Sequence, residues 1–412
     1  MTLVQFNGFK FVEGGVTAPK GFKAAGLHCG IRASKSKKDL ALLAAAKPVP
    51  TAAVYTQNRV KGAPIEVTRR HLANGYAQAV VANSGIANTC CADGVEKAEE
   101  MCRLAAETLD IREEDMVVAS TGVIGQPLPM EPIEEGMPAL AGALRADGGH
   151  DFAQAIMTTD TVCKELAVEF MVGESVVRIA GCAKGSGMIH PNMATMLCFL
   201  TTDAAIAPSL LQLALSRVVA DTFNMVSVDG DTSTNDTCCI MASGEAGNPQ
   251  IAAQDEDFET FVNGLYAALM NLSRMIAADG EGATRLMECI VTGAETVGQA
   301  KAVAKSVICS SLVKAAVFGA DANWGRVLCA IGYAPVETDV LRVEMSFASE
   351  AGSVLVCKDG MGVPFSEEKA KEVLLKDEVK ILLDLHSGEE SAVAWGCDLT
   401  YDYVKINGDY RS

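Results

Sequence analysis

The sequence predicts a layered α/β fold with mixed or largely antiparallel sheets and flanking helices. Hydrophobic residues make up 49% of the 412 residues, which is ample for a large buried core. Segments with helical periodicity and segments with strand alternation are interspersed without strict β–α–β alternation. Short strands dominate from Leu341 onward, with one helix among them. These observations favour a layered architecture over a doubly wound parallel sheet.

The individual elements follow from the spacing of apolar residues. Three- and four-residue steps predict a helix over residues 94–110, and alternation predicts a strand over residues 164–172. The same helical pattern recurs over residues 208–223, 258–277, 296–317 and 366–375. Short apolar runs predict further strands over residues 116–119, 176–180, 196–200, 285–291, 341–345, 354–357, 379–385 and 392–399.

The chain is acidic, with 34 basic and 52 acidic side chains and a net charge of −18. This charge repels a phosphate backbone, so nucleic acid is not an expected partner. Small anionic substrates remain compatible with it, because one well-placed Lys outweighs a diffuse surface charge at short range. No apolar run is long enough for a membrane span, and residues 1–19 lack a signal-peptide pattern. A cytoplasmic location without a membrane partner is therefore expected.

The 14 cysteines are scattered along the chain and contain no C-x-x-C motif. The five histidines do not fall at zinc-ligand spacing. Reduced thiols that act as small hydrophobic side chains are expected, and no metal site is predicted.

The most unusual stretch covers residues 181–197, where three glycines and Pro191 separate two apolar runs. A phosphate-binding loop fits poorly, because Lys184 precedes the last glycines instead of following them. A purely structural loop with an ordinary Thr195 at a strand edge remains open. A third reading makes Thr195 a nucleophile after cleavage of the bond between Ala194 and Thr195.

That third reading is chemically coherent. A Thr hydroxyl is a weak nucleophile at neutral pH and needs a base. Cleavage would free the α-amine of Thr195, and such amines have an ordinary pKa of about 7.7–8.0, close to the ideal for a general base. Thr195 would then carry its own base, as in the known variants with an N-terminal Thr.

The segment at residues 184–197 resembles the processing site of the ArgJ family, the glutamate N-acetyltransferases also called ornithine acetyltransferases. Further blocks that are similar to this family extend over nearly the whole chain, at residues 58–64, 83–88, 120–125, 157–161, 227–236, 279–284, 323–326 and 403–412. The resemblance implies an ArgJ/DmpA-like fold and self-cleavage into an α chain, residues 1–194, and a β chain, residues 195–412. It also implies that two α and two β chains form a heterotetramer.

The resemblance also implies the reaction. Thr195 would take the acetyl group of N2-acetylornithine and pass it to glutamate through an acetyl-Thr ester, with no cofactor. Acetyl-CoA as a second acetyl donor stays open. Thr121 and Gly122 match the oxyanion-hole pair of the family. The positions that match its substrate contacts are Thr161, Lys184, Thr195, Glu281, Asn407 and Ser412.

Charge suggests more specific roles for two of these residues. Lys184 suits the α-carboxylate of a substrate, since an ammonium beside a carboxylate forms a strong charge-assisted pair. Glu281 suits the side-chain ammonium of ornithine. Three positions depart from the family pattern: Ile86 in place of Asn, Ala322 in place of Pro, and Ser412 in place of Thr. The hydroxyl of Ser412 is retained, whereas Ile86 puts any polar role of its position in doubt.

Two other functions remain open at this point. A hydrolase of the aminopeptidase or aminoacylase type would use the same self-processed Thr195 with water as the acceptor. An uncleaved structural or regulatory protein would show one intact band on a denaturing gel. The acidic residues between Asp229 and Asp236 first suggest a Ca²⁺ loop, but they lack the ligand spacing and closing Glu of an EF-hand. A hydrogen-bonded turn is the favoured interpretation.

Overall fold

A computed structural model describes residues 2–190 and 196–409 of the chain. Two sheets and their flanking helices confirm the predicted layered α/β class. The strands are β1 Lys10–Val12, β2 Phe22–Leu27, β3 Leu40–Tyr55, β4 Tyr76–Ile86, β5 Met116–Val123, β6 Lys164–Val172, β7 Ser175–Lys184, β8 Leu197–Thr202, β9 Val226–Ser227, β10 Thr237–Ala242, β11 Leu286–Ala294, β12 Glu344–Ser349, β13 Gly352–Lys358, β14 Met361–Gly362, β15 Glu378–Asp384 and β16 Glu390–Cys397. The helices are α1 Ala63–His71, α2 Gly94–Leu109, α3 Glu131–Gly142, α4 Gly149–Ala155, α5 Pro208–Asp221, α6 Glu256–Ala278, α7 Val297–Cys309, α8 Ser311–Phe318, α9 Trp324–Gly332, α10 Glu367–Leu374 and α11 Tyr401–Asp409.

The larger sheet contains nine of the described strands. Its order is β1-β6-β7-β8-β10-β3-β4-β5, and β2 pairs with the first part of the long strand β3. Most neighbours are antiparallel, whereas β4 with β5 and β8 with β10 are parallel. The sheet is therefore mixed, as the interspersed pattern predicts. Strand β5 ends the order, so one of its edges has no neighbouring strand among the described residues.

The second sheet contains seven of the described strands, in the order β14-β13-β12-β15-β11-β16-β9. Helix α6 packs on β6 and β7 of the larger sheet and on β11 and β16 of this one. Phe258, Leu265 and Leu272 are fully buried on α6. Asp255 begins this helix, because its side chain accepts a hydrogen bond from the Phe258 backbone N–H at 3.1 Å. The apolar residues of α6 thus join the two sheets into one core.

Most predicted elements are found within a few residues of their expected bounds. The prediction of one helix over residues 296–317 is wrong. Ser310 adopts an extended backbone, and its hydroxyl accepts a hydrogen bond from Val313 N–H, so α7 ends and α8 begins there. The strand predicted over residues 341–345 begins only at Glu344, because Asp339 caps a short 3₁₀ turn at Val340–Arg342. The prediction lacks several elements, namely helices α1, α3, α4, α9 and α11 and strands β1, β2, β3, β4, β9, β10 and β14.

Eight of the 14 cysteines are buried, and Cys90 and Cys329 are exposed. Across residues 2–190 and 196–409, none of the helices combines the length and apolarity that crossing a bilayer requires.

Candidate active site

Thr121 and Gly122 lie near the end of the edge strand β5, where parallel β4 runs alongside. Gly122 has φ of +134°, a backbone conformation that favours glycine. A Cβ atom at Gly122 would lie 2.2 Å from the carbonyl carbon of Gly85. The close approach of the two strands therefore requires glycine at position 122. Thr121 is itself buried, with 7% of its surface exposed.

Lys184 is the last residue of β7 and is only 8% exposed, so it is not a solvated surface lysine. Its Nζ donates a hydrogen bond to Thr121 Oγ1 at 2.9 Å. Burial lowers the pKa of Lys184, while the charge of Asp160 acts in the opposite direction. A protonated amine only donates, so the Thr121 oxygen is the acceptor and its own hydrogen is available for another acceptor. That arrangement suits a hydroxyl that stabilises an oxyanion.

A buried ion cluster lies beside Lys184. Lys164 Nζ, which is fully buried, donates to Asp160 Oδ1 at 2.6 Å and to Asp279 Oδ2 at 2.5 Å. Burial raises the pKa of Asp160, but the charges of Lys164 and Lys184 outweigh it and hold that pKa below its usual range. Asp160 Oδ1 also accepts the Gly185 backbone N–H at 2.7 Å. Asp160 therefore stays ionised beside Lys164, and it anchors the residue that follows Lys184.

Thr161 joins the same cluster from the loop before β6. Its backbone N–H donates to Asp279 Oδ2 at 3.1 Å, and its hydroxyl donates to Asp279 Oδ1. Asp279 follows the last residue of α6, so Thr161 is tied to the end of that helix.

Glu281 and Asn407 lie on the other side of the glycine-rich segment. The Glu281 backbone N–H donates to Ser186 O at 2.8 Å, and a Cβ atom on Gly187 would lie 2.4 Å from the Glu281 carboxylate. Asn407 Nδ2, from α11, donates to Glu281 Oε2 at 2.8 Å. The absence of a side chain at Gly187 thus lets the carboxylate approach the loop.

The loop between β7 and β8 carries the candidate cleavage site. Lys184 faces Leu197 in the antiparallel register, so the two ends of the loop are fixed side by side. Asp229 holds the first part of the loop, since its carboxylate accepts Met188 N–H at 2.6 Å and Ile189 N–H at 2.9 Å. The predicted cleavage residues, Ala194 and Thr195, lie outside the described residues, as does Ser412.

Comparison with known proteins decides the family. The sequence model of the ArgJ family matches residues 23–412. The chain belongs to the ArgJ family. The arginine biosynthesis bifunctional protein ArgJ of Symbiobacterium thermophilum is 52% identical, over 98% of this chain and 100% of that protein. The protein of the same name from Caldanaerobacter subterraneus is 48% identical, again over 98% of this chain and 100% of its own length.

One crystal structure of an ArgJ protein supports the fold directly. The arginine biosynthesis bifunctional protein ArgJ from Bacillus halodurans aligns with 46% sequence identity and a TM-score of 0.50. The alignment covers 52% of this chain and 100% of that chain.

The structure brings the described positions that match the ArgJ contacts into one connected group. Thr121 and Lys184 touch directly, and residues 185–187 link Lys184 to Glu281. Their roles toward a substrate stay predictions. Sequence reasoning missed Asp160, Lys164 and Asp279, because a charged residue that is buried by tertiary packing has the same sequence pattern as an exposed one. Asp160 and Asp279 lie in the blocks at residues 157–161 and 279–284 that match the ArgJ family, whereas Lys164 lies in none of these blocks.

His190 is the last described residue before the candidate cleavage site. Its Nδ1 lies 3.1 Å from Ser227 Oγ and 3.6 Å from Cys309 Sγ. Burial, followed by the charge of Lys305, lowers the pKa of His190 to about 4, so its imidazole is neutral at pH 7. At pH 7 the ring therefore acts as a neutral hydrogen-bonding group.

One group of the described residues has metal-ligand donor types. His150, Cys163 and Glu165 each offer an atom within 4.8 Å of the other two. Burial and the charge of Glu165 raise the pKa of the Cys163 thiol to about 12. His150 Nδ1 also already pairs with Glu165 Oε1 at 2.5 Å. In the metal-free protein the group is thus an imidazole–carboxylate pair beside a protonated thiol.

Two of the three departures from the ArgJ pattern lie at buried positions. Ile86 is 9% exposed and belongs to the apolar cluster beneath β4 and β5, where its side chain is well accommodated. Ala322 is 5% exposed just before α9, and its carbonyl accepts the Trp324 N–H at 2.9 Å.

Proposed function

We propose that this chain is a glutamate N-acetyltransferase of arginine biosynthesis, which transfers the acetyl group of N2-acetylornithine to glutamate. Membership in the ArgJ family over residues 23–412 carries this conclusion. The relatives that match at 52% and 48% identity are named arginine biosynthesis proteins. The contact between Lys184 and Thr121 supplies a local arrangement that suits acyl transfer.

The proposed reaction begins with self-cleavage between Ala194 and Thr195. The freed α-amine of Thr195 accepts the proton of its hydroxyl, and the hydroxyl oxygen attacks the acetyl carbonyl. The C–N bond breaks, ornithine leaves with that proton on its amine, and an acetyl ester remains on Thr195. The α-amine of glutamate then attacks the ester, and N-acetylglutamate leaves as the hydroxyl is restored.

Each predicted site residue has a proposed part in this reaction. The Thr121 hydroxyl and the Gly122 backbone N–H stabilise the oxyanion of both tetrahedral intermediates. Lys184 binds the α-carboxylate that both substrates share, and Glu281 binds the side-chain ammonium of ornithine. Thr161, Asn407 and Ser412 complete the substrate contacts.

Two chains from one precursor, residues 1–194 and 195–412, are part of the proposal. The solved chain from B. halodurans spans 52% of this chain, close to the share that residues 195–412 represent, which supports a two-chain product. We propose a heterotetramer of two copies of each chain, without a cofactor. The relatives are named bifunctional, so acetyl-CoA is the second donor to assay.

An assay with N2-acetylornithine labelled in the acetyl group tests the function. The label is expected in N-acetylglutamate when glutamate is present, with little release of free acetate. Acetate release at the same rate with and without glutamate would instead identify a hydrolase. A chain that neither transfers nor releases acetate and runs as one band on a denaturing gel would contradict both enzymatic readings.

Lys184→Met is expected to raise KM for N2-acetylornithine and for glutamate by roughly tenfold to 150-fold, because a hydrogen bond to a charged group contributes about 1.5–3 kcal/mol. Initial rates over a range of each substrate would measure this change. Lys369→Met is the control, because Lys369 is bonded to Ala351 O and Glu372, outside the proposed site. An unchanged KM in Lys184→Met would show that Lys184 does not bind the carboxylate.

A further inference from the structure

The polar loop of residues 229–236 is a hydrogen-bonded structure that the proposed reaction does not use directly. Asp229 accepts backbone N–H groups from Met188, Ile189 and Asp231, so its oxygens face donors as in a turn. The favoured interpretation of this segment as a hydrogen-bonded turn is thus confirmed. At the other end of the loop, Asn235 contacts the edge strand β5.

Along the edge of β5 that lacks a neighbouring strand, side chains form hydrogen bonds with successive backbone groups. His71 Nδ1 lies 2.9 Å from Met116 O. Thr68 Oγ1 donates to Val118 O at 2.7 Å and accepts Val118 N–H at 2.9 Å. Because backbone groups two residues apart in a strand face the same edge, the next carbonyl on this edge is that of Ser120. Asn235 Nδ2 donates to Ser120 O at 3.0 Å.

We propose that Asn235 is a positioning residue for the oxyanion pair Thr121 and Gly122. The Ser120 carbonyl and the Thr121 N–H belong to one planar peptide unit, so a bond that fixes the carbonyl fixes the backbone at Thr121. This inference rests on the proposed function, because it assigns Asn235 to the oxyanion step of that reaction.

The side chain of Asn235 is locked by its own contacts. Its second Nδ2 hydrogen donates to Ala87 O at 2.6 Å. Its Oδ1 accepts the hydroxyls of Thr89 at 2.6 Å and of Thr234 at 2.5 Å. The amide therefore uses both donors and its acceptor, and an alternative rotamer would leave buried groups unpaired. Asn235 is 6% exposed.

Packing around Asn235 is equally restrictive. A Cβ atom at Gly62 would lie 2.4 Å from Asn235 Nδ2, so the backbone of residue 62 presses against the amide. The Gly62 N–H donates to Thr234 O at 2.9 Å, which holds this contact in place. An oxyanion donor acts only where it already points at the developing charge. The fixed Asn235 amide holds the Ser120 carbonyl, and thereby holds the backbone that carries the proposed oxyanion donors in one orientation.

The hydrogen bonds of Asn235 also connect the two chains that the proposed cleavage would produce. It belongs to residues 195–412, whereas Ala87, Thr89 and Ser120 belong to residues 1–194. The bonds of Asn235 thus tie the strand with the oxyanion pair to the same part of the chain that carries Thr195. Cleavage of the backbone would leave these bonds intact.

The test compares two buried asparagines that make similar bonds. Asn235→Asp removes both amide donors at nearly constant volume. Asn271→Asp is the matched control, because Asn271 is fully buried on α6 and donates to Val4 O at 3.1 Å and to Ala267 O at 3.0 Å. Rates are measured with N2-acetylornithine and glutamate and are divided by the amount of cleaved chain on a denaturing gel.

Asn235→Asp is expected to lower kcat roughly tenfold to 100-fold, with KM within about threefold, because removal of a complete oxyanion donor costs about 10²–10³-fold in kcat. Asn271→Asp is expected to lower the melting temperature and to leave kcat unchanged. An unchanged kcat in Asn235→Asp, or the same loss of kcat in both variants, would overturn the proposal.

A second variant covers the case in which Asn235→Asp does not fold. Thr89→Val removes the hydroxyl that donates to Asn235 Oδ1 and keeps the side-chain shape. A decrease in kcat of about threefold to tenfold at constant KM is expected, and an unchanged kcat would overturn the proposal. A wild-type chain without acetyl transfer would contradict the proposed function instead. If that chain releases acetate to water, the same variants are scored on acetate release, since it passes through the same oxyanion.

Discussion

Thr195→Ala is expected to leave the protein as one chain of 412 residues and to lower acetyl transfer by at least roughly 10⁴-fold. One hydroxyl serves both events in the proposed mechanism. It first attacks the Ala194 carbonyl, so that the peptide C–N bond breaks and an ester forms, and water then hydrolyses this ester to give the Ala194 carboxylate and the free Thr195 hydroxyl. The same hydroxyl later attacks the acetyl group. A denaturing gel measures the first loss, because wild type should give bands of 194 and 218 residues. The labelled-acetylornithine assay measures the second loss.

Thr195→Ser is the control for this variant. A Ser hydroxyl and its free α-amine can carry out the same chemistry, so this variant should retain a measurable part of both cleavage and transfer. Thr195→Ala that still matures into two chains would show that the cleavage assignment is wrong. An acetyl adduct found by mass spectrometry on another side chain would show that Thr195 is not the nucleophile.

The fold was predictable where local pattern and tertiary packing agree. The helix predicted over residues 94–110 is α2, and the strand predicted over residues 164–172 is β6. The prediction of one helix over residues 296–317 is wrong because apolar periodicity continues across Ser310, whereas the backbone of Ser310 is extended and its hydroxyl caps a new helix. The periodicity of apolar residues shows which face of a helix is buried. When two consecutive helices both bury an apolar face, the break between them leaves this periodicity nearly unchanged.

The candidate site was predictable only where residue type limits the chemistry. Lys184 among glycines suggested a carboxylate contact, and its burial beside Thr121 agrees with a specific role. Asn235 and Lys164 could not be singled out. Their importance comes from bonds to residues 115 positions away in the sequence, and such distances become short only after the sheets form.

Gly122→Ala is expected to lower kcat by at least roughly 100-fold and to destabilise the fold by more than about 1 kcal/mol. The added methyl group would lie 2.2 Å from Gly85 C and 2.3 Å from Gly85 O, far inside contact distance. Because both contacts are backbone atoms, no side chain can rotate away. Strand β4 or β5 must move, and the proposed oxyanion pair moves with it.

Gly125→Ala separates the effect of backbone strain from the effect of the close contact between the strands. Gly125 also has a positive φ, +82°, but no atom lies within 4 Å of the position that its Cβ would occupy. It should therefore show only the backbone strain, roughly 1 kcal/mol from thermal or urea unfolding, with kcat nearly unchanged. Equal losses of kcat in the two variants would mean that the loss comes from backbone strain at residues with positive φ. The close contact between β4 and β5 would then not be its cause. A normal kcat in Gly122→Ala would remove Gly122 from the oxyanion pair altogether, since its N–H could not stay aimed after the strands separate.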